Sequence, residues 1–390
     1  MPPPPTQPTL QAAGAGAPRD RSPRKLRALT RRQGITIVLS AALVAASGSL
    51  SASGAAEVPR FAVSALALAA LAALVGESLD QLGQRMRPGP TGLLQASLGN
   101  LPELLFSVFA LRAGLVRVVQ AALIGSVLGN LLLVLGLAFV SGAARLGTQK
   151  FEPEGPRMSV ALLTLAIASM AVPTLAVKLH TPALSHAASL SDVASIVLLV
   201  VYVASIPFWL AGGPPRPQTA PTGVRTPPAH LARNNRGRWP LPLTLALLVA
   251  ATAASAPVSD WFVAALKPAT RALGISPVFA GLVIVAVASN AVEHAAGVWL
   301  AWKGRPDYAI STILNSPLQI ALLLTPLLVL ISPALGPTHL LLVFQPLLVA
   351  AVAISTLAVG IVIYDGEYSW LEGISLVALY AIIASAFWWG

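Results

Sequence analysis

Residues 287–295, VASNAVEHA, place an amide, a carboxylate and an imidazole close together in a long apolar run: Asn290, Glu293 and His294. An ionised carboxylate at the centre of a membrane helix costs about 2.5–3.5 kcal/mol on insertion scales. No Lys or Arg lies three or four positions from Glu293, so no neighbour on the same helix offsets this cost. The stretch therefore predicts a site where a proton or a bound cation neutralises the carboxylate.

The composition is that of a membrane protein. Of the 390 residues, 56% are hydrophobic and 10% are charged, whereas soluble domains carry about 25% charged residues. Apolar windows long enough to cross a bilayer, about 20 residues each, are at 34–54, 60–82, 91–111, 117–141, 158–178, 190–211, 240–260, 275–302, 308–332, 338–362 and 370–389. We therefore expect an all-α polytopic membrane protein with about eleven transmembrane helices. Pro346 could break one of these windows.

The net charge of +11 is unevenly distributed. An alternating eleven-span topology puts 19 of the 25 Lys and Arg residues on one side of the membrane. By the positive-inside rule, this asymmetry predicts a cytoplasmic N-terminus and a C-terminus on the opposite side. The excess of basic residues is thus explained by the orientation of the protein in the membrane, and we expect no nucleic-acid partner. There are no cysteines, which excludes disulfides and thiolate metal sites.

Composition also divides the chain into segments. Residues 1–33 are rich in Pro, Ala and Arg and predict a disordered, basic cytoplasmic tail. Residues 34–54 predict a first transmembrane helix, with a cleaved signal peptide as the alternative. A linker rich in Pro and Arg, 212–239, separates two units of five spans, 60–211 and 240–390. Because five is odd, the two units have opposite orientation, as in inverted-repeat transporters.

The two units also share sequence. Residues 97–105, SLGNLPELL, align with the opening stretch at a constant offset of 190, so that Asn100 matches Asn290 and Glu103 matches Glu293. An Asn-x-x-Glu pair at matched places in both units indicates an internal duplication.

The same offset pairs two further polar elements. It superposes Ser126 on Ser316, and the Gly before Ser126 on Asn315. Ser126 and Asn130 are spaced i, i+4, as are Asn315 and Gln319, so each pair presents one polar stripe. We interpret these five residues as lining an ion cavity. Packing of helices through small residues and interhelical hydrogen bonds is the alternative.

These side chains favour a hard cation. On a helix, the amide and carboxylate of Asn-x-x-Glu lie on one face, and the pseudo-twofold relation of the units brings two such pairs together. An all-oxygen site with two negative charges suits calcium, which takes six to eight oxygen ligands. Including carbonyls of unwound backbone, the predicted ligands are Glu103, Glu293, Asn100, Asn290, Gly99 and Ser289.

Proton competition provides a mechanism. After the cation leaves, two neighbouring carboxylates of low solvation bind protons more readily and titrate as a coupled pair. Exchange of a divalent cation for protons follows from this competition. There is no GxxxxGK[ST] motif for ATP. We expect a transporter rather than an enzyme, without a cofactor, in contact with lipid and with Ca²⁺ and H⁺ as transported ions.

Other ionisable residues could handle protons. Glu77 and Asp260 lie in the first spans of the two units, Asp260 near the end of its window. His294 points about 100° around the helix from Glu293. We predict proton relay or gating for these three. The alternatives are interfacial carboxylates that reach the headgroups and a histidine that hydrogen-bonds within the bundle.

The paired motifs resemble those of the Ca²⁺/H⁺ exchanger (CAX) family of the Ca²⁺/cation antiporter superfamily, over roughly 75–365. That family has GNxxE[LI] in its first repeat and GNAAEH in its second. The resemblance implies eleven spans, calcium coordination by Glu103 and Glu293, and proton handling by acids matching Glu77 and Asp260. Ser289 stands where the second motif usually has Gly, and we expect it to stiffen the helix break there.

We therefore expect an antiporter that exchanges Ca²⁺, or a similar divalent cation, for H⁺ by alternating access. The alternatives are a sodium-coupled exchanger of the same superfamily and a cation channel or ion-sensing membrane protein. The composition, rich in Ala and Arg and poor in Lys, indicates a GC-rich bacterial genome and hence a bacterial plasma (inner) membrane.

Overall fold

The computed structural model describes residues 31–83, 85, 100–210, 239–336 and 338–389, which are mostly helical. Gly99, most of the predicted tail and nearly all of the predicted linker lie outside the described residues. The helices are α1 (Arg31–Ala52), α2 (Glu57–Gly83), α3 (Leu101–Arg112), α4 (Val116–Leu146), α5 (Glu154–Lys178), α6 (Ala187–Leu210), α7 (Leu241–Leu273), α8 (Pro277–Ser289), α9 (Ala291–Trp302), α10 (Pro306–Leu335), α11 (Pro346–Val362) and α12 (Trp370–Ala386). A 3₁₀ turn spans Pro182–His186, and two short strands, β1 (Gln149–Lys150) and β2 (Glu367–Tyr368), pair antiparallel.

The helices have the length and apolar character of a membrane protein. Within the described part of the chain, seven helices could cross a bilayer, and eight if the bent pair α8–α9 is one span. Helices α11 and α12 are apolar but shorter, at 17 residues each. The predicted all-α membrane architecture is confirmed, while the number of eleven spans stays a prediction.

The duplication is also present in the helix boundaries. Helices α3 and α9 both have 12 residues and begin 190 residues apart, as do α4 and α10. Helices α2 and α7 end 190 residues apart. Both α4 and α10 contain a π-helical turn at matched places, Gly129–Val134 and Ile320–Leu324, a feature that often accompanies functional sites.

Helix α4 forms the centre of the bundle. Of its most apolar window, 83% is buried inside the protein, compared with 11% for α1. The aliphatic residues that remain exposed on outer helices, such as Leu165, Val200 and Ile361, suit contact with lipid chains, which are as apolar as these side chains. The residues that α4 carries are therefore enclosed by protein on nearly all sides.

Glycines allow α4 and α8 to cross in backbone contact. A Cβ atom at Gly125 would collide with the carbonyl oxygen of Leu282. A Cβ atom at Gly281 would lie 2.7 Å from the carbonyl oxygen of Val118. Small residues permit such close approach of membrane helices. Because Gly125 precedes Ser126, this crossing brings Ser126 of the first unit close to the second unit.

At one end of the bundle, called here the Arg145 end, the loops after α4, α9 and α11 meet. Strand β1 pairs with β2, and the backbone N–H of Glu152 donates to Asp307 Oδ1 at 2.8 Å. Arg145 donates to the carbonyl oxygen of Trp302, also at 2.8 Å. The alternating topology puts all three loops on its cytoplasmic side.

At the opposite end, the α7–α8 loop meets the end of α12, where the backbone N–H of Ser276 donates to the carbonyl oxygen of Trp388 at 3.0 Å. Thr338 Oγ1 donates to the carbonyl oxygen of Leu111 at 3.5 Å. These contacts also join loops on a single side of the predicted topology. The assignment of either end to the cytoplasm stays a prediction.

One expected interruption is confirmed and one predicted span boundary is wrong. Pro346, expected as a possible break in the window 338–362, begins the helical part of it, and residues 338–345 have no helical structure. Proline suits the first turn of a helix, where its missing N–H has no partner to lose. The window 240–260 ends too early, since α7 continues to Leu273. Asp260 is therefore in the interior of a long helix and is exposed.

Candidate cation site

Helix breaks position the two motif glutamates. Helix α3 begins directly after Asn100 and carries Glu103 in its first turn. Helix α9 begins directly after Asn290 and carries Glu293 in its first turn. Helices α8 and α9 form an angle of 64° at this break. The helix break expected at Ser289 is therefore present, while the residues directly before Asn100 lie outside the described part of the chain. Each glutamate lies at the start of a shorter helix, where free N–H groups and the helix dipole favour a negative charge.

Local sequence explains where these helices begin and end. Pro102 occupies the first turn of α3, a position that suits proline. At the end of α8, Ser289 Oγ donates to the carbonyl oxygen of Val285 at 3.0 Å. Asn290 Nδ2 donates to that of Ala286 at 3.1 Å. These side chains satisfy carbonyls that a terminating helix leaves unpaired, so α8 ends here although Ser replaces the usual Gly.

Glu103 is enclosed by residues from both units. Its side chain is 1% exposed, and Ser126 Oγ donates to its Oε1 at 2.5 Å. Ser126 Oγ in turn accepts a hydrogen bond from Asn290 Nδ2 at 3.0 Å. Asn290 thus contacts the hydroxyl that donates to Glu103. The expected pairing of amide and carboxylate within one helix is therefore replaced by a contact between the units, in which Asn290 is linked to Glu103 through Ser126.

Glu293 has a matching partner in its own unit. Ser316, which corresponds to Ser126 by the offset of 190, lies beside the Glu293 side chain. Glu293 is partly buried, but its Oε2 atom is fully enclosed. Each unit thus contributes one glutamate with a serine beside it.

Further hydrogen bonds join the two units. Asn100 Nδ2 donates to Gln319 Oε1 at 3.0 Å. Asn130 Nδ2 donates to Ser316 Oγ at 3.4 Å and to the carbonyl oxygen of Ser126 at 2.9 Å. Four of the five predicted cavity residues, all but Asn315, thus take part in this network. Asn315 is half-buried on α10 and makes none of the hydrogen bonds described for the cluster.

Three oxygen atoms of the paired motifs are enclosed and have no hydrogen-bond partner among the described residues. These atoms are Asn100 Oδ1, Glu103 Oε2 and Glu293 Oε2. Buried polar atoms are nearly always hydrogen-bonded, so each exception needs an explanation. Carboxylate and amide oxygens are the ligands that Ca²⁺ takes. The described residues contain no group of three or more His, Asp or Glu that could hold a metal, so amides and hydroxyls would complete any cation site here.

The residues predicted to handle protons lie outside this cluster. Glu77 is half-buried on α2 and Asp260 is exposed on α7. Neither hydrogen-bonds to the cluster in the described parts of the chain. His294 is buried at 9% exposure, and its Nε2 atom has no partner among the described residues. It lines a groove beside α4.

Sequence reasoning missed several buried polar residues. Ser107 lies one turn after Glu103, is fully buried, and its Oγ has no partner among the described residues. Gln120, buried in α4, donates to the carbonyl oxygens of Leu341 and Val343 at 3.0 and 2.9 Å. Both are polar residues within apolar windows, a signal that was available. Neither has a polar match at the offset of 190, so the duplication did not reveal them.

The segment 338–345, called here the strap, is non-helical and partly buried. Besides Gln120, three other side chains satisfy its backbone. Thr174 accepts from the N–H of Phe344 at 2.9 Å, Ser191 accepts from that of Leu342 at 3.1 Å, and Ser332 accepts from that of Leu340 at 2.9 Å. Non-helical backbone at membrane depth is tolerated only when protein buries and satisfies it. These contacts explain why an apolar window is not one continuous helix.

Comparisons with known proteins agree with this architecture. The family model described as sodium/calcium exchanger protein matches residues 58–210 and 243–389. The Ca²⁺/H⁺ antiporter of Synechocystis sp. is 33% identical over 342 residues, which cover 84% of this chain and 90% of that protein. The Ca²⁺/H⁺ antiporter ChaA of Bacillus subtilis is 35% identical over 333 residues, covering 84% and 91%. The solved structure of native YfkE matches with a TM-score of 0.76 at 32% identity, covering 90% of this chain and 99% of that chain. The chain therefore belongs to the sodium/calcium exchanger family and, as its paired motifs predict, to the Ca²⁺/H⁺ exchanger (CAX) branch of it.

Proposed function

We propose that this protein is a secondary active antiporter that exchanges Ca²⁺ for H⁺ across a membrane. The observation that carries the proposal is the carboxylate pair Glu103 and Glu293, one from each unit, each with an enclosed oxygen atom that has no hydrogen-bond partner among the described residues. Relatives that are 33% and 35% identical are Ca²⁺/H⁺ antiporters, which supports the same ions for this chain.

The carboxylate pair gives the two ions a common site. Two ionised carboxylates balance the charge of one Ca²⁺, with Asn100 and Asn290 as further candidate ligands. Ser126 orients the Glu103 carboxylate by donating to it, and Ser316 has the corresponding place beside Glu293 in the second unit. When Ca²⁺ leaves, protons replace it, because two uncompensated charges in a poorly solvated site are costly. Gly99 and Ser289 stay predicted backbone ligands.

The hydrogen bonds between the units suggest how access alternates. Three of them, Asn290 to Ser126, Asn130 to Ser316 and Asn100 to Gln319, each join one residue of the first unit to one of the second. A rocking movement of the units would exchange these partners while the ions stay at the centre, as in transporters with inverted repeats. A transporter of this kind needs neither catalytic residues nor a cofactor.

The domain boundaries belong to the same proposal. A cytoplasmic tail (1–33) and a first transmembrane helix (34–54) precede the units 60–211 and 240–390, which a cytoplasmic linker (212–239) joins. The excess of Lys and Arg on one side supports this orientation. For the location, we propose a bacterial plasma membrane. Proton relay or gating by Glu77, Asp260 and His294 stays a prediction.

Transport in proteoliposomes tests the function. A pH gradient imposed on vesicles that contain the purified protein should drive Ca²⁺ uptake against its gradient. Uptake that follows an imposed Na⁺ gradient would favour the sodium-coupled alternative. Ca²⁺ flux that is only downhill and indifferent to the pH gradient would favour a channel and contradict exchange.

Isosteric variants test the site. Glu103→Gln and Glu293→Gln each remove one negative charge, so that Ca²⁺ is no longer balanced, and we expect exchange to fall below detection. Glu154→Gln is the matched control, since Glu154 also lies in the first turn of a helix but is exposed. All three variants should insert and purify like the wild type. Normal exchange in either site variant would refute the paired-carboxylate mechanism.

A further inference from the structure

An open groove runs along the bundle between α4 and α9. Its volume is about 500 Å³, and its wall is almost entirely apolar. Leu133, Leu137, Ala295 and Val298 form its sides. His294 lies at its inner end, and Trp299 and Trp302 lie at its outer end. Both tryptophans are nearly half exposed, at 46% and 45%.

The length of the groove matches one leaflet of a bilayer. His294 and Trp302 are eight residues apart on α9, which at about 1.5 Å per residue is about 12 Å. Half of the hydrocarbon core of a bilayer is about 15 Å thick. His294 follows Glu293 of the central site, and tryptophans are enriched at the membrane interface. The groove therefore extends from the interface towards the middle of the membrane, as one acyl chain does.

Two cations lie at the outer end of the groove. The Arg145 guanidinium carbon is 5.1 Å from the centre of the Trp302 ring, and Lys303 Nζ is 5.6 Å from that of Trp299. Arg145 uses one N–H for the carbonyl oxygen of Trp302, which leaves others of its five donors. Within the described residues, neither cation forms an ion pair.

Exposed carboxylates, among them Glu152 and Asp307, also lie at this end. Asp307 accepts the backbone N–H of Glu152, and Glu367 pairs with Lys150 at 2.6 Å. The exposed Arg305 lies two residues beyond Lys303. An apolar groove that spans one leaflet thus opens at a rim of two cations that have no carboxylate partner among the described residues.

We propose that this groove is a binding site for an anionic phospholipid. One acyl chain occupies the groove, and the phosphate binds Arg145 and Lys303. Basic pockets between membrane helices bind anionic headgroups in this way. A free phosphate ester lacks the chain that fills the apolar wall, and a zwitterionic lipid has a cationic group that the rim repels. The lipid thus contacts α4, which carries Ser126, and α9, which carries Glu293.

Lipid binding by the purified full-length protein in detergent tests the proposal. Native mass spectrometry would compare dioleoyl phosphatidylglycerol, dioleoyl phosphatidylcholine and glycerol 3-phosphate. We expect one high-affinity phosphatidylglycerol, bound at least about tenfold more tightly than phosphatidylcholine, and no binding of glycerol 3-phosphate. Each Lys or Arg near a membrane surface contributes about a fivefold factor in affinity. Arg145→Gln with Lys303→Gln should therefore weaken phosphatidylglycerol binding by about 25-fold.

Matched variants separate this site from general charge effects. Arg117→Gln with Lys267→Gln also removes one Arg and one Lys, both exposed and outside the groove, and should leave phosphatidylglycerol binding unchanged. Ala295→Trp, at an exposed position in the groove wall, should abolish the high-affinity lipid. If the double variant at the rim does not fold, Lys303→Gln alone should give the fivefold loss.

Three results would each overturn the proposal. The first is equal affinity for the two lipids in the wild-type protein. The second is a control double variant that loses as much affinity as the rim variant. The third is full lipid binding by a folded Ala295→Trp protein. These experiments measure lipid binding and not transport, so their outcome does not depend on whether the protein exchanges Ca²⁺ for H⁺.

Discussion

Replacing Ser126 by Ala removes the hydroxyl that orients the first glutamate. Ser126 Oγ donates to Glu103 Oε1 at 2.5 Å and accepts from Asn290 Nδ2 at 3.0 Å. In the proposed site, Glu103 Oε2 faces the cation while Oε1 stays bound to the hydroxyl. Without that hydroxyl, the carboxylate can rotate in its pocket, and Ca²⁺ binding must order it again.

The size of the effect follows from the two hydrogen bonds. A hydrogen bond to a charged group contributes about 1.5–3 kcal/mol, which corresponds to about 10- to 150-fold in affinity. The second bond adds little, because Asn290 Nδ2 keeps the carbonyl oxygen of Ala286 and Ser289 Oγ, each at 3.1 Å. Loss of a group that orients a metal-binding carboxylate typically costs about 10- to 100-fold in metal affinity. We therefore expect Ca²⁺ affinity to fall by about 10- to 100-fold.

The assay is Ca²⁺ uptake driven by a fixed pH gradient in proteoliposomes, measured over a range of Ca²⁺ concentrations. The concentration for half-maximal uptake should rise by the factor given above, while the amount of folded protein is unchanged. Ser64→Ala is the matched control, since Ser64 is also buried and hydrogen-bonds Ser47 at 2.7 Å, between α1 and α2. A Ser126→Ala protein with the Ca²⁺ dependence of the wild type, or of Ser64→Ala, would refute the reasoning.

Two further variants test how the bundle holds the site. Gly125→Ala should lower stability by about 1–3 kcal/mol through overpacking, because the new Cβ atom would meet the backbone of Leu282. We also expect this variant to impair exchange. Gly155→Ala is the control and should be neutral, since the space around Gly155 is open. Equal melting temperatures of these two proteins would contradict the proposed close crossing. Gln120→Leu should lower stability by about 2–6 kcal/mol, since it leaves two strap carbonyls without the Gln120 donor, each at about 1–3 kcal/mol. Gln149→Leu is the control, because it affects only exposed carbonyls, and it should change stability by less than about 0.5 kcal/mol. A similar loss of stability in the Gln120 and Gln149 variants would argue that Gln120 does not hold the strap in place.

The sequence was sufficient to locate the centre of the candidate site. Glu103 and Glu293 lie in apolar windows, where a carboxylate raises the free energy of membrane insertion. The offset of 190 pairs these two residues, as it pairs Ser126 with Ser316. Local pattern is enough here because a charge within a membrane helix stands out against its neighbours. The same reasoning missed Gln120, which has no polar match in the other unit, and it misplaced the end of α7 because the hydropathy of the window stops at Asp260.

Hydrogen-bond partners across the units could not be predicted. Asn290 and Ser126 are 164 residues apart, and Asn100 and Gln319 are 219 apart. The spacing within each motif pointed to amide and carboxylate of the same helix, whereas Asn290 is linked to the glutamate of the other unit through Ser126. Which side chains meet depends on how closely two backbones approach, and here that depends on glycines at the crossing of α4 and α8.

The class of protein, the duplication and the two carboxylates can be read from the amino-acid sequence, because each is a property of composition or of regular spacing along one chain. The places where α3 and α9 begin, each with its glutamate in the first turn, and the contact of Asn290 with Ser126 depend on how the helices pack. The non-helical course of residues 338–345 depends on packing as well, although their hydropathy is that of a helix. Hydropathy measures transfer from water, and it does not distinguish a helix from a non-helical segment whose backbone is satisfied by Gln120, Thr174, Ser191 and Ser332.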